Sequence, residues 1–238
     1  MSKTLIVILL SCFGLSVNAQ SIGESWEVDL RNQFGIVKNN ARFDKVNGEE
    51  VLYFAERGEK KYLFTNRGLI VRQPEESRPQ EKYERHERAE KGLPVSLPHF
   101  STFTIAWAGV SSAVELTLDE PYQFSYNYQD IHNSSKTIKE TPHASLVYQN
   151  IYEHIDLRFT LPEEGGLKYE YIVRPGGDPS DISMFFEDAD IELNDRGEVE
   201  IASWPHEYID KAPVCWYQDK SSDIPVKFEQ DGQNVSFL

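Results

Sequence analysis

The chain has 238 residues and a formal net charge of −15, with 39 acidic residues against 24 basic ones. Nucleic-acid phosphates are bound by clustered Lys and Arg, so this acidic balance argues against a nucleic-acid partner. Aromatic residues make up 12% of the chain and lie mostly in short, alternating runs, a composition typical of β-strands rather than helices.

The first 19 residues have the order of a secretory signal peptide. Lys3 precedes an apolar run at residues 4–10, and the small-residue site Val17-Asn18-Ala19 follows. The run is shorter than the ~20 apolar residues that a membrane-spanning helix needs. We therefore expect cleavage after Ala19, export to the cell surface or medium, and no membrane span in the mature chain. The sequence Leu9-Leu10-Ser11-Cys12 also resembles an acylation site, which leaves a lipoprotein as the alternative.

Cleavage would leave a single cysteine, Cys215, and would make the net charge one unit more negative, because Lys3 is the only charged residue before position 20. The mature chain then cannot form an internal disulfide, but ~220 residues can bury a core without one. Cys215 lies in an apolar run, residues 212–217, with no nearby His. This setting favours a buried core thiol over a nucleophile.

The first strands are predicted before residue 73. Residues 51–55 and 62–64 read as a hairpin joined by a turn at 57–60, and residues 68–71 read as a further short strand. Residues 74–92 then carry many charges and almost no apolar side chains. We interpret this segment as a solvated linker or loop.

The charged segment divides the chain into an N-terminal β segment, residues 20–73, and a main β-rich domain, residues 93–238. Residues 46–73 are predicted to form one module with the main domain, truncated at its C terminus. The alternative is a pair of β subdomains joined by the charged linker.

Strand patterns are densest in the second half of the chain, where marked turns at 163–166 and 194–197 separate alternating runs. Short strands at this spacing predict an all-β, antiparallel, sandwich-like fold. The predicted strands of the main domain lie at residues 99–107, 113–118, 145–149, 155–161, 167–174, 182–187, 198–202, 212–217, 226–230 and 235–238.

Tyr122, Phe124, Tyr126 and Tyr128 alternate along the chain as an aromatic stripe. Aromatic faces stack on the apolar faces of sugars, so Tyr122, Tyr126 and Tyr128 are candidate ligand-stacking residues. A strand face with these residues is also typical of a protein core. The sequence leaves both interpretations open.

Four acidic residues in a loop-rich region, Asp178, Asp181, Asp188 and Asp190, are candidate calcium ligands, because Ca²⁺ binds carboxylate and carbonyl oxygens. Their spacing lacks the EF-hand order. The alternative for Asp178 is local turn chemistry with the following backbone. Calcium is the only cofactor that the sequence suggests.

Asp156 stands between Ile155 and Leu157 on a predicted strand. If that strand has one solvated face, Asp156 points to water. If both faces are covered, the carboxylate needs a partner, for which Arg158 and Arg174 are the candidates.

No catalytic motif is present in the sequence. The six histidines form no metal-binding spacing, and no serine lies in a G-x-S-x-G context. We therefore expect no enzyme and name no catalytic residue. A paired-carboxylate glycosidase stays an alternative, because such carboxylates are brought together by folding and not by sequence spacing.

Two segments carry a resemblance to a known family: residues 147–159, VYQNIYEHIDLRF, and residues 165–182, GGLKYEYIVRPGGDPSDI. They resemble the signature of an N-terminal domain of large secreted Bacteroidetes surface proteins. Shorter matches lie at residues 51–54 with 62–69, at 195–201 and at 212–218. The chain ends before the closing strand that this family usually has.

Members of that family often carry SBBP repeats, PKD modules and a gliding-motility-associated C-terminal sorting domain, and the family supplies no activity to transfer. The resemblance implies a non-enzymatic structural or adhesive β-module at the N terminus of a larger surface or secreted protein. Its expected partners are other domains of the same or neighbouring surface proteins. A carbohydrate-binding or carbohydrate-active protein, with glycans as partners, is the alternative.

Overall fold

The computed structural model describes residues 5–9, 34–40, 42–75, 83, 87, 88, 90–93, 99–110, 114–129, 136–219 and 223–238. Within these residues the regular structure consists of twenty strands, one 3-10 helix at Pro179–Asp181 and a helical turn near residue 87. In chain order the strands are β1 (Leu5–Leu9), β2 (Val37–Lys38), β3 (Tyr53–Arg57), β4 (Lys60–Phe64), β5 (Gly68–Pro74), β6 (Phe100–Trp107), β7 (Glu115–Pro121), β8 (Tyr126–Gln129), β9 (Thr137–Glu140), β10 (His143–Tyr152), β11 (Ile155–Thr160), β12 (Lys168–Val173), β13 (Ser183–Glu187), β14 (Asp190–Leu193), β15 (Val199–Ser203), β16 (His206–Asp210), β17 (Val214–Tyr217), β18 (Asp223–Ile224), β19 (Phe228–Asp231) and β20 (Asn234–Phe237).

The strands form two large antiparallel sheets and two small ones, which confirms the predicted all-β, sandwich-like fold. The first sheet has the order β18-β17-β1-β12-β11-β10-β7. The second has the order β19-β20-β13-β6-β5-β4-β3-β2. A three-stranded sheet, β14-β15-β16, and the hairpin β8-β9 complete the architecture.

The two large sheets pack face to face through a core of buried aromatic and aliphatic side chains. In β12 the buried residues alternate with half-buried ones, so Tyr169, Tyr171 and Val173 face the second sheet. Phe159 of β11 is fully buried, and its ring centroid lies 5.1 Å from that of Phe64 in the second sheet. The alternating apolar residues of the two sheets therefore face each other and form one shared core.

The second sheet is covered on its other face as well. Leu63 and Ile70 alternate with core residues along β4 and β5, and they form a second buried cluster with Phe54. Tyr126 and Tyr128 of the β8-β9 hairpin pack against this cluster. The sheet therefore lies between two apolar layers, which is why β4 and β5 read as nearly continuous hydrophobic runs.

The charged segment at residues 74–92 lies in the connection between β5 and β6. These two strands pair with each other, with Pro74 opposite Phe100. Residues on both sides of the segment thus belong to one sheet. The domain boundaries themselves stay a prediction.

Residues 5–9 of the predicted signal peptide form β1, which lies between β12 and β17 in the first sheet. The remainder of that peptide, including Cys12 and Ala19, lies outside the described residues. Cleavage and export stay predictions. Among the described residues, no helix has the length and apolar character needed to cross a membrane.

The turn predicted at residues 163–166 joins β11 to β12, and its last residue, Gly166, is buried with φ of 76°. A β-branched side chain is strained at this positive φ. We expect Gly166→Val to lower the free energy of unfolding by about 1–3 kcal/mol, measured by urea denaturation. Glu164→Ala, an exposed change in the same turn, is the control and should change it by less than about 0.5 kcal/mol. Equal effects of both changes would contradict this role of Gly166.

Candidate functional site

Polar side chains from the segment 147–182 connect the first sheet to its neighbours. The Tyr148 hydroxyl donates to the backbone oxygen of Thr65 at 2.9 Å, in the turn between β4 and β5. The Tyr152 hydroxyl donates to the backbone oxygen of Ser183 at 3.0 Å, at the start of β13. Both bonds join the first sheet to the second.

A third hydroxyl of the segment lies beneath the three-stranded sheet. Tyr169 donates to a carboxylate oxygen of Asp210 in β16, and both side chains are buried. Burial raises the pKa of Asp210 to about 7, and the hydrogen bond from Tyr169 opposes that rise. Burial also raises the pKa of Tyr169 well above its ordinary value, with the Asp210 charge adding to the effect. Tyr169 therefore stays a hydrogen-bond donor at neutral pH.

Asp156 is paired, and the partner is Arg174. The two guanidinium nitrogens of Arg174 lie 2.7 and 2.8 Å from the two carboxylate oxygens of Asp156. The backbone N–H of Asn150 donates to the same carboxylate at 2.7 Å. Asp156 is 9% exposed, so the predicted pairing for a covered strand is confirmed and the solvent-facing alternative is wrong. The network closes the end of β10, β11 and β12.

The aromatic stripe is not one strand. Strand β7 ends at Pro121 and β8 begins at Tyr126, so Tyr122 and Phe124 lie in the connection, where their rings stack at 5.3 Å. All three candidate stacking tyrosines are half-buried.

Two of these tyrosines face the protein itself. The Tyr126 hydroxyl accepts the Gly35 N–H at 3.1 Å, and the Tyr128 ring packs edge-on against Phe54. The Arg42 guanidinium lies over the Tyr128 ring, 5.6 Å from the ring centroid. The structure therefore uses Tyr126 and Tyr128 to cover the second sheet.

The four candidate calcium ligands form two separate pairs. Asp178 caps the 3-10 helix and Asp181 is the last residue of that helix, whereas Asp188 and Asp190 follow the far end of β13. A five-residue strand spans roughly 17 Å, and calcium ligands lie about 2.3–2.6 Å from the ion. The four side chains are therefore not brought together around one ion.

Asp178 forms the local turn hydrogen bonds that were predicted as the alternative to calcium binding. Its carboxylate accepts from the backbone N–H of Ser180 at 2.9 Å and from the Ser180 hydroxyl at 2.8 Å. These bonds lower the pKa of Asp178. Across the described ranges, no three His, Cys, Asp or Glu side chains converge in a way that could hold a metal ion.

Cys215 is a buried thiol in β17, with 5% of its surface exposed. Burial raises its pKa, which lowers the thiolate fraction that a nucleophile requires. The arrangement fits the predicted core role.

A further polar surface is the outer side of the three-stranded sheet. Two cross-strand rows form it, one of Asp190, Ala202 and Glu207 and one of Glu192, Glu200 and Ile209. We call these six residues the hairpin face. Together with Ile191, Ile201, Tyr208 and Lys211 they line a cleft of about 600 Å³.

Trp204 stands at the tip of the hairpin that joins β15 to β16, and 89% of its surface is exposed. Trp is enriched at binding hot spots, so this exposed indole is a candidate contact residue. The hairpin is held from below, because the Ser101 hydroxyl lies 2.8 Å from the backbone oxygen of Ser203. This hydrogen bond anchors the end of β15 that precedes the exposed indole.

Charge is unevenly compensated on the hairpin face. Glu192 and Glu200 are direct cross-strand partners, and like charges at such positions repel. The Asn194 amide donates to Glu200 at 2.8 Å, and Arg196 lies 3.9 Å from it. The row therefore keeps an excess of negative charge that a basic partner would relieve.

At the edge of the same sheet, Glu198 has two basic partners. Lys211 lies 3.1 Å and Arg196 lies 2.8 Å from its carboxylate oxygens. The hydrogen bond from Lys211 is the main cause of the lowered pKa of Glu198. This edge is neutralised, so the acidic character is concentrated on the hairpin face itself.

Sequence reasoning missed the hairpin face and Trp204, because β16 was not among the predicted strands. A signal was present: Tyr208 and Asp210 alternate with polar or half-buried neighbours, and Pro205 follows Trp204 as a turn residue would. Because Asp210 is an acid at an inward-facing position, the sequence of β16 does not show a clear apolar–polar alternation.

Comparison with known proteins gives one match. A family model described as a domain of unknown function, DUF7948, matches residues 36–238. No curated protein matches the chain, and no solved structure does. The match begins at the first residue that bridges to β10, Ile36, so it includes the described part of the chain apart from β1 and the two residues before Ile36.

The raised pKa of Asp210 predicts a pH dependence of stability. Between about pH 4 and 7 the unfolded chain releases the proton of Asp210 while the folded chain retains it, so this contribution is complete at low pH and is lost as pH rises through 7. Asp210→Asn removes the titration. We expect the variant to gain stability relative to wild type across this window, by up to about 4 kcal/mol, measured by urea denaturation at several pH values.

Asp178→Asn serves as the control of opposite sign, because the lowered pKa of Asp178 makes its contribution present above pH 4 and lost in acid. A stability difference between wild type and Asp210→Asn that does not change from pH 4 to 8 would contradict the buried titration.

Proposed function

The chain belongs to the DUF7948 family, a domain of unknown function, and we propose that it acts as a non-enzymatic structural or adhesive β-module. The observation that carries this proposal is the use of polar side chains in the segment 147–182. The hydroxyls of Tyr148, Tyr152 and Tyr169 and the carboxylate of Asp156 are all engaged in bonds within the protein. The segment acts as a scaffold.

In a scaffold of this kind, the residues that stabilise the fold are different from those that contact a partner. The engaged hydroxyls and the Asp156 carboxylate lie between sheets or at strand ends, whereas the hairpin face and Trp204 point outward. An exposed aromatic residue beside a field of carboxylates suits a partner that offers an apolar pocket and basic side chains. In our proposal the module binds such a partner through Trp204 and the hairpin face.

The larger protein to which this module belongs, its export and its partners are also proposals. The resemblance of residues 147–182 to the N-terminal domain of secreted Bacteroidetes surface proteins supports a position in a larger surface or secreted protein, with SBBP or PKD repeats and a gliding-motility-associated sorting domain in the same architecture. The order of residues 1–19 supports export. The expected partners are other domains of that protein or of neighbouring surface proteins.

A carbohydrate-binding role is the second candidate, and the exposed Trp204 supports it. An open indole ring can stack on a sugar, and the nearby carboxylates of the hairpin face can accept hydrogen bonds from sugar hydroxyls. The candidate site for glycans thus moves from Tyr122, Tyr126 and Tyr128 to the β15-β16 hairpin.

We expect Trp204→Ala to weaken binding of the labelled, purified module to envelope fractions of the producing bacterium by about tenfold or more, because truncation of a binding hot spot costs about 2 kcal/mol or more. Binding should also weaken as salt rises, because the hairpin face is acidic. Tyr83→Ala is the matched control, since Tyr83 is 69% exposed and lies elsewhere on the chain. Its binding should equal that of wild type.

A glycan array and a hydrolase screen on the same three proteins separate the two candidates. Glycan binding that Trp204→Ala abolishes would favour the carbohydrate role over the protein-binding one. Equal envelope binding by all three proteins would contradict a contact through Trp204, and turnover of any glycan would contradict the non-enzymatic proposal.

A further inference from the structure

The three-stranded sheet has two outer edges, and the edge at β14 is occupied by glutamine side chains. The side-chain oxygen of Gln230 accepts the Leu193 N–H at 2.8 Å, and the amide of the same glutamine donates to the Ile191 backbone oxygen at 3.1 Å. The Gln233 amide donates to the Ala189 backbone oxygen at 2.9 Å. Side chains from β19 and the turn after it therefore bond the outward backbone groups of β14.

Hydrogen bonding at the β14-β15 turn shows which residues of β15 bond to β14. The Asn194 N–H donates to the Glu198 backbone oxygen at 2.9 Å. Hydrogen-bonded and non-hydrogen-bonded pairs alternate along an antiparallel ladder. Glu200 and Ala202 therefore bond to β14, and the residues between them bond to β16. The same alternation points every second residue of β14 outward, which agrees with the glutamine contacts observed there.

Strand β16 forms the other edge of this sheet. Ile201 of β15 stands opposite Tyr208, so Tyr208 bonds to β15 and its two neighbours in the chain, Glu207 and Ile209, point their backbone N–H and C=O groups outward. Within the described ranges, no other backbone group bonds to these outward groups. One edge of the sheet is thus capped, whereas the other is open, and open edges bind further strands.

The open edge is short and lies beside the cleft of the hairpin face. It comprises the five residues of β16, His206–Asp210. Pro205 precedes the strand and Pro213 follows it by three residues, and proline has no N–H to offer to a ladder. Glu207 is exposed, Ile209 is half-buried, and both line the cleft. The edge therefore suits a short extended segment.

The side chains along the edge define the chemistry of that segment. Directly opposed residues of an antiparallel pair lie on the same face of the sheet and contact each other. The residue opposite Glu207 meets an exposed carboxylate, and the residue opposite Ile209 meets an apolar side chain. A basic residue at the first position and an apolar residue at the second complement this edge.

We propose that β16 is a strand-binding edge whose partner is an extended basic segment of another protein domain, added to the three-stranded sheet antiparallel to β16. The segment places a Lys or Arg opposite Glu207 and an apolar side chain opposite Ile209. Its C-terminal end lies at the hairpin tip that carries Trp204. The proposal rests on the proposed function, because it states how a partner bound through Trp204 and the hairpin face is held.

Charge favours this partner over a second copy of the chain. Two copies joined edge to edge through β16 would form one continuous sheet and bring two hairpin faces together. Each face carries Asp190, Glu192, Glu200 and Glu207, and like charges on neighbouring strands repel. A Lys or Arg on the added strand compensates this charge instead.

Hydrogen exchange followed by NMR tests the edge directly. In the purified protein alone, the N–H groups of Glu207 and Ile209 should exchange at least about tenfold faster than that of Tyr208, which bonds to β15. A saturating amount of the synthetic peptide Thr-Val-Thr-Lys-Thr should slow both groups by about tenfold or more.

Backbone methylation of the peptide supplies the matched control. N-methylation of its Val and Lys, whose N–H groups face β16, should abolish the protection of Glu207 and Ile209. N-methylation of the central Thr, whose N–H points away from β16, should leave that protection unchanged. The methylated peptides have the same side chains, so a difference between them reports strand pairing.

A charge exchange tests the contact at Glu207. Glu207→Lys should weaken binding of the labelled peptide by about tenfold, and a peptide with Glu in place of Lys should bind this variant better than wild type. Glu192→Lys changes the same face at the capped edge, two strands from β16, and should alter the affinity by less than about twofold. Fluorescence anisotropy gives the affinities, and circular dichroism checks that each variant is folded.

Three results overturn the strand-binding edge. Slow exchange of Glu207 and Ile209 in the protein alone means that the edge is already covered. Peptide binding that survives methylation of Val and Lys means that side chains alone make the contact. A dimer in sedimentation velocity that the peptide dissociates means that a second copy occupies β16.

Envelope binding separates this proposal from the proposed function. If Trp204→Ala weakens envelope binding while the peptide leaves exchange at β16 unchanged, the strand-binding edge is wrong and the proposed function stands. If the peptide protects Glu207 and Ile209 while Trp204→Ala and wild type bind envelope fractions equally, the edge stands and the proposed contact through Trp204 is wrong.

Discussion

The packing of Phe159 between the two large sheets is the interaction on which the rest of the structure depends. Its ring lies 5.1 Å from Phe64 and 6.0 Å from Trp107 across the interface, and 5.8 Å from Tyr148 and 6.2 Å from Tyr169 within its own sheet. Offset and edge-on aromatic contacts stabilise beyond the area they bury. The apolar face of a sheet must pack against another element, because apolar side chains that stay in water gain no free energy from burial.

This packing explains the use of the surrounding polar groups. Tyrosine hydroxyls beside Phe159 enter the same dry interface, where an unpaired polar group is costly. Tyr148 and Tyr169 therefore donate to Thr65 and Asp210, and their bonds set the relative position of three sheets. The segment 147–182 is thus engaged in holding the fold together. In our proposal, contact with a partner is made by outward elements such as the β15-β16 hairpin.

Strand periodicity predicted much of this fold, and the failures have physical causes. The β11-β12 hairpin was readable because Gly165 and Gly166 mark a turn between alternating runs. The role of Asp156 was not, because alternation assigns a side chain to a face but does not say what covers that face. Tyr126 and Tyr128 had the pattern of a ligand platform, but they pack against Phe54, Leu63 and Ile70 of the second sheet, which are too distant in sequence for the pattern to reveal the contact. The hairpin that carries Trp204 was missed because its second strand, β16, has an acid, Asp210, at an inward position.

We expect both sheets to form one cooperative unit centred on Phe159. The most direct test is urea unfolding of Phe159→Ala, followed in parallel by far-UV circular dichroism and tryptophan fluorescence. We expect a single coincident transition in both signals, with the free energy of unfolding lowered by about 3–5 kcal/mol. Two separated transitions, or a loss below about 1 kcal/mol, would contradict the central place of this residue.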